Sequence, residues 1–283
     1  MLLVLLVVIL IAAVLVYDSN TRIVATEYEL FYPNLPAAFD GYRIVVLSDI
    51  HAAEFGKGNE RLITEVKEAK PDIIAITGDF IDGYKKTASQ EQLDIAGALA
   101  KSLKPIAPIY FVTGNHDWDS GAMRTLISLL EAHDVLVLRN SFTRIEAGGE
   151  SIILVGTDDP NGPSDMMKPD ELIEKVRAAA GGPAAGSAGD FIVVLEHRNN
   201  HLQLYSELGV DLVLCGHAHG GIIRLPFTDG VLGQQRDLFP TYTNGVYTSG
   251  DTNMVVSRGL GNSLGIPRFL NNPHIVVAVL RIG

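Results

Sequence analysis

Hydrophobic and polar positions divide the chain into two unequal parts. Residues 1–16 are uniformly apolar, and Tyr17 and Asp18 end that run. Beyond a short polar stretch (Asp18-Ser-Asn-Thr), continuous apolar runs alternate with segments of helical periodicity. Tyr42-Arg-Ile-Val-Val-Leu47 reads as a strand, and residues 57–69 place Leu62, Ile63, Val66 and Ala69 at helical spacing. Residues 72–77 and 108–112 repeat the strand pattern; 90–103 and 123–132 repeat the helical one. Strands that are apolar on both faces and alternate with helices predict βαβ units around a buried sheet.

The pattern changes after residue 135. Val135-Leu-Val-Leu138, Phe142-Thr-Arg-Ile145 and Ser151-Ile-Ile-Leu-Val155 are short runs separated by turn residues, which predicts an antiparallel meander. A helix near 170–180 leads into a flexible Gly/Ala-rich loop at 181–189. Residues 191–195 and 211–214 restore the strand–helix–strand rhythm, and 222–282 read mainly as β with Gly and Pro turns. The fold class is therefore α/β. Two packed sheets, each covered by helices, accommodate this order of elements.

Composition narrows the function classes. With 283 residues, 47% hydrophobic and 19% charged, the chain can bury a full core without disulfide or metal staples. A net charge of −11 makes nucleic acid an unlikely partner, because neutralising a phosphate backbone needs clustered Lys and Arg. A small phosphorylated substrate is still compatible, since a buried metal pair can outweigh a negative surface locally. The single cysteine, Cys215, lies in an apolar run, so it forms no intramolecular disulfide and a Cys2His2 zinc site is excluded.

The N-terminal run would span about 24 Å as a 16-residue helix, against a hydrocarbon core of roughly 30 Å. It lacks a basic region before it and an A-x-A cleavage site after it, which favours an uncleaved anchor over a cleaved signal peptide. The expected organisation is a transmembrane anchor or signal-anchor at 1–17, a linker at 18–34 that leads into the domain, and one domain over 35–283. The expected location is the cell membrane, with a single pass. Arg22 alone, the only nearby basic residue, does not set an orientation.

Chemistry concentrates where predicted strands end, the place at which open α/β sheets bind ligands. Five such loops are Ser48-Asp49-Ile-His51, Gly78-Asp79-Phe-Ile-Asp82, Gly114-Asn115-His116-Asp117, Glu196-His197-Arg198 and Gly216-His217-Ala-His219-Gly220-Gly221. One such histidine would be unremarkable. Repeated acids and imidazoles among turn glycines are hard to produce by core packing. Carboxylate, imidazole and amide oxygen together suit Mn, Fe or Zn better than Ca. Seven ligands exceed what one such ion takes; a bridging carboxylate would let them serve two divalent ions about 3.5–4 Å apart.

As a set, D-x-H, G-D-x-x-D, G-N-H-D, H and G-H-x-H resemble the calcineurin-like metallophosphoesterases, over about residues 35–280. The stretch Leu35-Pro-Ala-Ala-Phe-Asp-Gly-Tyr-Arg-Ile and the later Arg224-Leu-Pro226 are similar to a branch of bacterial membrane-associated or exported phosphoesterases. The resemblance implies a four-layer α/β/β/α sandwich of two mixed sheets flanked by helices. It implies a first ion on Asp49, His51 and His219, a second on Asn115, His197 and His217, and Asp79 bridging them. A hydroxide held between the ions would attack phosphorus. His116 would contact the phosphate and protonate the leaving oxygen, with Asp82 orienting it. The branch also implies a catalytic domain on the extracytoplasmic side.

This chain departs from the family at three places. Gly83 stands where some relatives place a phosphate-binding arginine. Arg198 is a candidate replacement, whose alternative is an ordinary salt bridge. Ile222 replaces a glutamine common in the branch, and Asn199 and Asn200 replace a proline-containing step. Asp117 reads as a turn or helix-cap residue. Asp158-Asp159-Pro160-Asn161-Gly162 reads as an acidic turn near the site, His201 as a helix-start surface residue, and His133 and His274 as structural. The leading reading is hydrolysis of a phosphomono-, di- or pyrophosphate ester carried by a small molecule or a lipid headgroup, with the N-terminal segment in the membrane and no protein partner inferred. The competing class is a membrane-tethered binding or scaffold module with a structural metal site. Its signature would be lost ligands, and this sequence keeps all seven.

Overall fold

The computed structural model describes residues 1–83, 88–163, 167–179, 190–233, 237–262 and 265–283; the loop expected at 181–189 lies outside the described residues. A long helix, α1 (Leu2–Thr21), precedes β1 (Val24–Tyr32) and β2 (Arg43–Leu47). Then come α2 (Glu60–Glu68), β3 (Ile73–Thr77), α3 (Gln90–Leu103), β4 (Ile109–Val112), α4 (Asn115–Asp119), α5 (Met123–Glu131) and β5 (Val135–Val137). The second half runs β6 (Ser141–Ala147), β7 (Glu150–Gly156), α6 (Pro169–Ala179), β8 (Ile192–Leu195), α7 (Leu202–Glu207) and β9 (Leu212–Cys215). It closes with β10 (Gly245–Ser249), β11 (Thr252–Val256) and β12 (His274–Ile282).

Two six-stranded mixed sheets result, ordered β1-β12-β2-β3-β4-β5 and β10-β11-β9-β8-β7-β6. Strand β12 runs antiparallel to β2 and parallel to β1, while β2 to β5 are parallel throughout. In the other sheet β7, β8, β9 and β11 are parallel, with antiparallel β6 and β10 at the edges. The apolar runs explain this burial on both faces. Ile44 and Val46 point into the core between the sheets with Ile152, Leu154 and Val193, while Val45 and Leu47 face α2, α3 and α5. Val194 and Val213 face α6 and α7 in a third cluster. The α/β/β/α layering matches the sequence-based expectation. Each such buried aliphatic side chain contributes about 1.5–3 kcal/mol.

Three local expectations change. Asp18 to Thr21 form the last turn of α1 instead of a linker, because Asn272 Nδ2 donates to the Asp18 carbonyl and Asn20 exchanges hydrogen bonds with the Arg268 backbone. Residues 24–32 are a full strand instead of a lead-in, since β1 pairs along its whole length with β12. The meander reduces to one hairpin, β6–β7: Val135–Val137 joins the first sheet beside β4, and β7 pairs parallel with β8.

Candidate metal centre

Strands β2, β3, β4, β8 and β9 all end at one edge of the sandwich, and the residues that follow them converge there. The turns are tight enough to force unusual backbone. Asp49 (φ 50°), His51 (48°), Asp79 (52°), His217 (65°) and His219 (46°) all adopt the left-handed region. There L-residues are strained, with Asn, Asp and His the most tolerant after glycine. Close approach between loops also dictates glycine at 114 and 216. A side chain at Gly114 would collide with Asp79, and one at Gly216 with Ser48 and Asp49.

The seven sequence-predicted ligands fall into two groups that share one carboxylate oxygen. In the first, His219 Nε2 lies 3.2 Å from both His51 Nε2 and Asp49 Oδ1, and Asp79 Oδ2 lies 3.7 Å from His51 Nε2. In the second, His197 Nε2 lies 3.2 Å from Asp79 Oδ2, 3.0 Å from Asn115 Oδ1 and 3.0 Å from His217 Nδ1. Asp49-His51-His219 and Asp79-His197-His217 each bring their donor atoms within 4.8 Å of one another. Donors held about 2.0–2.2 Å from a common ion lie about 3–3.5 Å apart, so these spacings fit transition-metal coordination. Imidazole nitrogens facing each other at such distances have no hydrogen bond to share unless a proton intervenes; a cation satisfies both lone pairs. The donor set therefore fits divalent metal ions, without thiolate.

Burial polarises these groups. Burial alone would raise the Asp79 and Asp49 pKa values, but neighbouring histidines hold both carboxyls well below the usual range. Burial would lower His197, yet the Asp79 charge and hydrogen bond drive it up to about 10. Burial takes His51 down to about 3 and His217 to about 4. His197 Nδ1 donates to the Thr77 carbonyl at 2.9 Å, which aims Nε2 into the site.

His116 sits beside both groups, its ring 4.8 Å from that of His51. Its Nδ1 contacts Asp82 Oδ1 at 2.9 Å, the pairing expected from the sequence. Burial alone would lower the His116 pKa, but the Asp82 hydrogen bond and the Asp79 and Asp82 charges raise it on balance. His51, Asp82 and His116 form a third group with closely spaced donors, one that borrows His51 from the first ligand set. Asp117 does act as a capping residue. Its carboxylate, fully buried, accepts from the backbone N–H groups of Asp79, Phe80, Ile81 and Gly114 at 2.8–3.1 Å. It ties the β3 and β4 loops together.

Arg198 forms a two-pronged ion pair with buried Asp159 (2.7 and 3.1 Å) and reaches Asn161 at 3.2 Å. The acidic turn at 158–162 is thus partly buried, with Asp158 accepting from Thr113 and Arg139. A side chain at Gly83 would strike the backbone of His116 and Ser120, so this loop has no room for an arginine. The Ile222 side chain is buried and has no polar atom to offer a substrate. His201 pairs with buried Glu196 at 2.7 Å, and His274 is buried against Thr26.

Two supporting residues escaped sequence reasoning. Arg268 is buried, donates to the carbonyls of Gly261 and Arg258, and brings Nη2 to 3.2 Å from His219 Nδ1. Burial lowers its pKa to about 10. Asn271 Nδ2 donates to the carbonyls of His219 and Ile222. Neither belongs to a motif, and no local signal would have revealed them.

Comparison with known proteins agrees with this arrangement. A family model described as calcineurin-like phosphoesterase matches residues 42–221. The Bacillus subtilis metallophosphoesterase YkuE, itself uncharacterised, is 30% identical over 268 residues, covering 94% of this chain and 88% of that protein. The Escherichia coli phosphodiesterase YaeI is 27% identical, covering 80% and 77%. A transmembrane protein with a metallophosphoesterase domain from Danio rerio is 29% identical over 69% of this chain, which spans 44% of that longer protein. In fold, the chain is similar to the Haemophilus influenzae NAD nucleotidase (TM-score 0.51, 14% identity), covering 77% of this chain and 45% of that one.

Proposed function

The chain belongs to the calcineurin-like phosphoesterases, hydrolases of phosphoester bonds, and from that premise we propose that it is a membrane-anchored enzyme whose centre holds two divalent transition-metal ions, Mn, Zn or Fe. The observation that carries this reading is the sharing of Asp79 Oδ2 between two donor groups, one with Asp49, His51 and His219, the other with Asn115, His197 and His217. When bound, the ions supply Lewis-acid activation of a water and neutralise charge on the phosphoryl oxygens. The chain's own residues do the rest. His116, held through Nδ1 by Asp82, presents its other ring nitrogen to the leaving oxygen and delivers the proton there. Arg198, fixed by Asp159 next to His197, gives its guanidinium to a phosphate oxygen. The substrate is a phosphorylated small molecule or a lipid headgroup.

Anchoring rests on α1, whose apolar residues 2–17 span about 24 Å of the roughly 30 Å hydrocarbon core before Asp18–Thr21 pack on the domain, with a mean hydropathy of 2.8 over its most apolar 18 residues. The resemblance of the stretch after Leu35 and of Arg224-Leu-Pro226 to the membrane-associated or exported branch supports a catalytic domain on the extracytoplasmic side. Metal analysis tests the centre: wild-type protein should carry two ions per chain, Asp79→Ala none, and Asn115→Ala one. Hydrolysis of a bis-aryl phosphodiester should follow the same order. One ion in the wild type, or full turnover by Asp79→Ala, would sink the two-ion reading.

A further inference from the structure

The polarity of the first sheet fixes where α1 leaves the domain. Strand β12 is antiparallel to β2, with Val276 opposite Val46, so its first residue, His274, lies at the edge where β2 delivers Asp49. Strand β1 runs parallel to β12, with Val24 opposite His274. The C-terminal end of α1, two residues before β1, therefore emerges at the metal-centre edge. Hydrogen bonds lock it there. Asn20 exchanges two with the backbone of Arg268, the residue whose guanidinium lies against His219.

The loops at this edge carry apolar side chains that no part of the described protein covers. Phe227 is fully exposed, Leu238 and Phe239 are about two-thirds exposed (69% and 67%), and Leu225 and Ile266 are partly so. These side chains stand on backbone tied to the centre and to the α1 base. Arg224 and Ile222 exchange hydrogen bonds with Phe269, Phe239 bonds to Val231, and Arg268 bonds to Asn20. Asp237, Pro240 and Thr241 line a cavity of about 170 Å³ with the ligand His217, so Leu238 and Phe239 sit on the loop that borders the mouth. Exposed aromatic and aliphatic residues grouped at one edge of a protein mark an interaction surface.

We infer that the metal-centre edge faces the bilayer, with Leu225, Phe227, Leu238, Phe239 and Ile266 seated in the lipid interface beside the anchor. The occupant is the bilayer because α1, apolar and exposed along residues 2–11, ends at the same edge of the domain as these side chains. The inference rests on the anchor reading above. It brings the mouth of the centre to the level of headgroup phosphates.

Depth-dependent quenching tests it on the full chain in phosphatidylcholine vesicles carrying nitroxide on the upper acyl chain. A fluorophore is placed on Phe227→Cys, Phe239→Cys, Ile9→Cys or Glu146→Cys; the native Cys215 is buried and does not compete. Glu146 is exposed at the opposite edge, opposite Ser151 near the start of β7. Labels at 227 and 239 should lose roughly half their emission, as interfacial side chains lie about 5–10 Å into the headgroup boundary. The label at 146 should lose none. Quenching at Ile9 without quenching at 227 and 239 overturns the inference and keeps the anchor. Quenching at 227 and 239 without Ile9 upholds docking and removes the anchor, and quenching nowhere removes both.

Discussion

Replacing His116 by alanine should slow hydrolysis by an amount set by the leaving group. The backbone N–H of residue 116 still donates to Asp79 Oδ1 at 2.8 Å in the variant, so the bridging carboxylate keeps its support. What disappears is the imidazole and its 2.9 Å contact with Asp82. A positioned general acid contributes about 10²–10⁴-fold, or about 3–5.5 kcal/mol. That loss should appear in full with alkyl or phenyl esters, whose leaving oxygens need a proton. With 2,4-dinitrophenyl esters it should shrink to about 10-fold or less, because that anion departs unprotonated. Asp82→Asn keeps the ring and removes the charged partner. A hydrogen bond to a charged group contributes about 1.5–3 kcal/mol, so this change should cost about 10–100-fold with poor leaving groups. The sign of its pH effect follows from the pair. Asp82 raises the His116 pKa, the acid form is lost as pH rises through that value, and the alkaline limb of kcat/KM should move to lower pH in the variant. Equal losses for every leaving group, or loss of metal from His116→Ala, would refute the acid role.

Asp117→Ala should leave the N–H groups of Asp79, Phe80, Ile81 and Gly114 without their acceptor, at about 1–3 kcal/mol each when buried. The summed cost, about 4 kcal/mol or more, is a large part of a typical 5–15 kcal/mol stability; urea denaturation with an unchanged midpoint would contradict it. Metal binding at pH 7.5 should release about one to two protons per chain, the second from metal-activated water, read by calorimetry in two buffers of different ionisation heat. The first comes from His197, whose pKa is about 10 without metal, while His51 and His217, at about 3 and 4, are already neutral. Binding heats that are identical in both buffers would exclude that exchange.

The convergence of Asp49, His51, Asp79, Asn115, His197, His217 and His219 at one edge was legible because each follows an apolar run, where strand ends meet whatever the register. His116 and Asp82 followed from the same motifs. The N-terminal strand was missed although Val24–Tyr32 carries the alternating pattern of a half-buried strand; its pairing was not legible because its partner β12 lies some 250 residues later. Val135–Val137 looked like the start of a meander because three apolar residues carry no record of which sheet they join. Arg268 and Asn271 act through carbonyls brought near by the fold, and a buried arginine leaves no periodic trace. Arg198 forms the salt bridge that the sequence left as its alternative role, and its partner Asp159 sits on a turn 39 residues away in sequence.

The left-handed backbone at Asp49, His51, Asp79, His217 and His219 also restricts the alphabet available at these positions. Two filters act on each. Coordination chemistry admits Asp, Glu, His, Asn and Cys, while the local backbone best tolerates Gly, Asn, Asp and His. Only Asp, His and Asn pass both, so Glu and Cys, adequate donors in solution, are disfavoured here by geometry before any metal arrives. Swaps among the three permitted letters can retune charge and ligand softness without rebuilding a loop. Any other letter must first reshape the turn that carries it.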